Sequence, residues 1–76
     1  MRRFKVRTKG SDGLWVQIFV SVGTTLEELK SKIVQKISKV AEIKSVATVV
    51  LFPEDVIIAD DSDVDILPNN SELEVE

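Results

Sequence analysis

The sequence predicts an α+β domain in which one helix packs across a mixed sheet of four to five strands. Three observations carry this. Apolar and charged or polar side chains alternate with period two near the start and again in residues 72–76, and residues 14–20 sort with the same period into an aliphatic face and a face of Trp15, Gln17 and Phe19. Between them, residues 26–40 switch to apolar spacings of three and four. The chain has 76 residues and no cysteine, so one core without disulfides must hold it, and residues 1–76 read as a single domain.

Each element follows from its local pattern. Phe4, Val6 and Thr8 alternate with Arg3, Lys5, Arg7 and Lys9, as a half-buried strand requires. GSDG at positions 10–13 is turn chemistry. In LWVQIFV, Leu14, Val16, Ile18 and Val20 share one face, with Trp15, Gln17 and Phe19 on the other, so the two strands read as an antiparallel hairpin. Leu26, Leu29, Ile33, Ile37 and Val40 form the stripe of an amphipathic helix, capped by Thr24 or Thr25 with Glu27 or Glu28 completing a capping box. Lys32, Lys36 and Lys39 then fall on one flank as a basic ridge. ATVVLF is a β-branched strand ended by Pro53, VIIA a short extended piece and LPNNS a turn. ELEVE closes as a strand with Leu73 and Val75 inward and Glu72, Glu74 and Glu76 outward.

Composition removes whole classes of function. Without histidine or cysteine, the usual ligands of zinc and the usual acid–base agent near neutral pH are missing. No glycine-rich phosphate loop occurs, so no enzyme, metal centre or cofactor is expected. Apolar runs fall far short of a membrane span, and the basic start MRRFKVRTKG lacks the apolar segment of a signal peptide. The expectation is a soluble intracellular domain, cytoplasmic or nuclear. The net charge of −3 hides a strong asymmetry: residues 1–44 hold ten bases and four acids, a net +6, and residues 45–76 hold nine acids and no base, a net −9. A pI near 4.9 disfavours nucleic acid as a partner.

In DSDVDILPNNSE, Asp61, Asp63, Asp65 and Glu72 match positions one, three, five and twelve of a calcium-binding EF-hand loop. Position six of that loop needs glycine, and here it is Ile66, followed by Pro68. The expected alternative is a solvated turn in which aspartates cap a short helical segment while Ile66 and Leu67 enter the core.

TTLEELKSKIVQKI resembles the helix segment of the ubiquitin family, with its Thr cap and Lys-x-Lys-Ile centre. LFPEDVIIADDSDVDILPNNSELEV resembles that family's C-terminal half, including an Asp-x-x-Ile turn from Asp63 to Ile66 and a final Ser-x-Leu strand. The likeness covers nearly the whole chain and implies the ubiquitin-like β-grasp fold, with strand order 2-1-5-3. Glu72, Glu74 and Glu76 would then neighbour Arg3, Lys5 and Arg7 and neutralise part of the charge. The ending Leu73-Glu74-Val75-Glu76, in place of Gly-Gly, implies a non-conjugating module of a larger protein. The family's aliphatic binding patch would fall near Leu51.

The expected function is therefore protein–protein docking. Trp15 and Phe19 stand on the outer face of an edge strand beside Lys5 and Arg7, with Lys32 and Lys36 as an accessory surface. The competing reading of the two aromatics is that they cover the stems of the strand-one bases. The alternative function is head-to-tail self-association, as the PB1 and CIDE-N modules imply by resemblance. RRFKVR would supply the basic face, and DDSDVD with Asp60, Asp61 and Asp63 the acidic one. Val56 stands in PEDV where the PB1 motif carries glycine.

Overall fold

The structure, a computed structural model, describes residues 1–10 and 15–76. The hairpin turn at residues 11–13 and the core-facing assignment of Leu14 lie outside the described residues. The elements are β1 (Arg2–Thr8), β2 (Val16–Val20), α1 (Leu26–Ile37), β3 (Val49–Phe52), β4 (Val56–Ile57), α2 (Asp61–Asp65) and β5 (Glu72–Val75). Among the described residues five strands form one mixed sheet in the order β2-β1-β5-β3-β4, with β1 and β5 paired in parallel and the other neighbours antiparallel. The expected order 2-1-5-3 is observed, with β4 added beyond β3.

Alternation sorts the sheet into two faces. Phe4, Val6, Ile18, Val20, Val49, Leu73 and Val75 point inward, where Leu29, Ile33 and Ile37 of α1 meet them in one buried cluster. Thr25 caps α1, its hydroxyl accepting from the Glu28 N–H while a Glu28 carboxylate oxygen accepts from the Thr25 N–H, so the capping box is present as expected. The helix ends earlier than its apolar stripe suggested. Ser38 is the C-cap, its N–H still bonded to the Val34 carbonyl, and Val40 lies exposed beyond it with Lys39. The basic ridge on the helix is therefore Lys32 and Lys36.

A second helix, five residues long, occupies the acidic stretch. Val64 and Leu67, three residues apart, share its inward side, which leaves Ile66 between them pointing into solvent. The expectation that Ile66 enters the core is corrected on this ground. Arg2 closes the end of α2: its Nη1 donates to the carbonyls of Val64, Asp65 and Leu67 at 2.8–3.2 Å, satisfying groups that a helix terminus leaves unpaired.

The parallel pairing of β1 on β5 brings two of the expected bases to the acids and leaves the third out. Lys5 faces Glu72 and Arg7 faces Glu74, while Arg3 lies before the ladder begins. Asn69 and Asn70 fix this register. The Arg3 N–H donates to Asn69 Oδ1 at 2.8 Å, and the Arg3 guanidinium donates to Asn70 Oδ1 at 2.8 and 3.1 Å. The Asn70 N–H donates to the Arg3 carbonyl at 2.7 Å. Asn70 holds φ at 69°, a left-handed conformation that asparagine tolerates better than most residues.

Candidate functional site

The outer face of the sheet is a packed layer. Val6 faces Val16, so Arg7 and Trp15 are next neighbours, and the Arg7 guanidinium lies 4.3 Å from the Trp15 ring centre. Phe52, from β3 on the far side of β5, reaches back to the same guanidinium at 4.9 Å and tilts against Trp15 at 5.5 Å. Underneath, Arg7 Nε donates to Glu74 Oε2 at 3.0 Å, with the two side chains only 21% and 13% exposed. Two aromatics thus roof an ion pair, and the cation gains both a carboxylate and two π faces. Trp15 and Arg7 are half-buried here. For Trp15 this arrangement matches the covering role weighed against docking. Lys5 stays exposed between Gln17 and Glu72 in register.

Phe19 differs from Trp15. It is 51% exposed and sits on the outermost strand of the sheet. Between β2 and α1 runs a groove of about 230 Å³ lined by Ile18, Phe19, Lys32, Gln35 and Lys36. The Lys32 ammonium crosses it and donates to the Phe19 carbonyl at 3.1 Å. That carbonyl therefore faces away from β1. Because backbone groups alternate along a strand, those of Gln17 face the same open side. An edge strand with outward N–H and C=O groups is a template for another strand, and a lysine laid on it is a common way to blunt it. Among the described residues neither Lys32 nor Lys36 has a carboxylate within 4.0 Å.

The acidic run is largely taken up by the fold. Asp60 caps α2, its Oδ1 accepting from the Asp63 N–H at 3.0 Å, and Asp63 Oδ2 returns to the Ala59 N–H at 2.9 Å. Asp61 Oδ1 accepts from the Leu26 N–H at 2.8 Å, so it caps the first turn of α1 from 35 residues away. Each carboxylate completes a helix terminus or its approach. Asp60 and Asp61 stay exposed and Asp63 is half-buried.

Leu51 does not form an exposed patch. It alternates with Val50 and Phe52, so it packs half-buried against the core, and the outward residue of that strand pair is Val50. Val50 is itself buried, and Phe52 is the residue of this layer that its sequence does not mark. A strand of VVLF has no polar residue to mark which parity faces out. Beyond them, β4 leaves Val56 and Ile57 52% and 59% exposed at the other end of the sheet. Among the described residues no helix is long and apolar enough to cross a membrane. Compared with family models, curated proteins and solved structures, the chain gives no match.

Proposed function

We propose that the chain is a non-catalytic, ubiquitin-like β-grasp module that docks a protein partner along β2 and α1. The carrying observation is one juxtaposition: exposed Phe19 and the basic pair Lys32 and Lys36 frame an open groove on an unpaired sheet edge. Aromatic side chains in such settings anchor interfaces, and lysines at the rim set charge preference and encounter rate. The ubiquitin-like part of the reading is supported by the order β2-β1-β5-β3, the parallel β1–β5 pair and a helix laid across the inner face. The non-catalytic part is supported by a composition without histidine or cysteine.

Relative to the outer-face site expected from sequence, the centre moves from Trp15 to Phe19, because Trp15 and Arg7 are engaged with Phe52 and Glu74. Phe19→Ala removes an exposed side chain and should leave the fold intact. Captured partners should be lost with Phe19→Ala and retained with Val22→Ala, a change at another exposed apolar residue. Equal capture by both variants would defeat the site.

A further inference from the structure

The two free edges of the sheet differ in charge and agree in apolar character. At one end lies β2, with Phe19 exposed and Lys32 and Lys36 above it. At the other lies β4, with Val56 and Ile57 exposed and Glu54 adjoining in sequence. The Ile58 N–H donates to the Val49 carbonyl at 2.8 Å, so backbone alternation directs the N–H and C=O of Ile57 away from the sheet. Asp63 already holds the Ala59 N–H. Among the described residues each edge thus keeps a short stretch of unpaired backbone with apolar side chains beside it, Lys32 and Lys36 at one and exposed Glu54 at the other, where the neighbouring Asp55 is already held by Lys9.

Resting on the docking reading above, we propose that the partner is a second copy of this chain. The β4 edge of one copy seats on the β2 edge of the next, continuing the sheet. Lys32 is the latch. Its ammonium now occupies the Phe19 carbonyl, and a carboxylate from the incoming acidic edge offers it a stronger acceptor. Release of Lys32 frees that carbonyl for an incoming N–H. Such a contact joins two different patches, so it is heterologous and open-ended, and it grows into chains unless one end is blocked.

The experiment uses the whole chain in sedimentation velocity over a concentration series. Wild type should form concentration-dependent oligomers at low salt that dissolve near 1 M salt, where screening acts within about 3 Å. Lys32→Glu with Lys36→Glu spoils the basic edge, and Glu54→Lys with Ile57→Lys spoils the other. Each double variant alone should associate at least about tenfold more weakly. Mixed together, they should give a 1:1 dimer and nothing larger, since each supplies one intact edge. Near-ultraviolet circular dichroism of Trp15 reports that both remain folded. A wild-type chain that is monomeric at low salt overturns the second copy as partner. Variants that still associate alone overturn it too, because the contact then lies elsewhere. A monomeric chain whose capture of other proteins still depends on Phe19 leaves the docking reading standing; one whose capture ignores Phe19 removes both.

Discussion

Arg7 illustrates how much one side chain can hold in place. Its guanidinium is enclosed by Trp15, Phe52 and Glu74, three residues from three different parts of the chain. Arg7→Ala leaves the Glu74 carboxylate partly buried without its cation, and should cost about 1–3 kcal/mol in urea unfolding. The double variant with Glu74→Ala should cost less than the two single changes summed; strict additivity would show that the pair is not coupled. Asp61 acts at a distance in sequence but locally in space. Asp61→Ala removes the acceptor for the Leu26 N–H and should cost about 1 kcal/mol, while Asp61→Asn keeps an acceptor and should cost less. Equal losses would mean that the charge matters and the hydrogen bond does not.

Elements were legible where their signal is local. The hairpin strands, the capping box of α1 and the inward Leu73 and Val75 follow from alternation and capping chemistry within a few residues. What was not legible depends on how elements end and meet. The stripe of α1 could be extended on paper to Val40, but periodicity carries no stop sign, and the turn after Ser38 takes Val40 out of the core. Ile66 was lost for the same reason, since adjacent apolar residues in a short helix cannot both face inward. The Arg7 site is half legible: Trp15 stands out on an outer strand face, but Phe52 lies 37 positions downstream and nothing in its own strand marks it as a partner. These differences separate by mutation. Ile33→Ala, in the fully buried centre of α1, should cost about 2–5 kcal/mol. Val40→Ala and Ile66→Ala should each stay within about 0.5 kcal/mol of wild type. A large loss at Val40 would restore the longer helix.

Across the whole molecule, the opposed charges of the two halves are reconciled in part by topology. Parallel pairing of β1 with β5 brings Arg7 to Glu74, and Lys9 lies within 4.0 Å of Asp55 and Glu76. Arg2 and Arg3 are taken up by the end of α2 and by Asn70. Those acceptors are neutral, so Arg2 and Arg3 keep their charge, and the association proposed above places the salt-sensitive contacts at Lys32 and Lys36 on one edge and Glu54 on the other. The clamp between Arg3 and the Asn69–Asn70 pair has a further consequence, in the timing of synthesis. The hairpin and α1 can form as soon as they leave the ribosome, yet β1 is an interior strand whose second edge is completed by residues 66 or more positions later. Until residues 69–75 have emerged, the nascent chain carries a bare edge on β1 and an uncovered core. A chain truncated before Asn69 should be cut readily by protease, and one that carries residues 1–76 clear of the ribosome on an added linker should resist, so protection arrives in one late step rather than element by element.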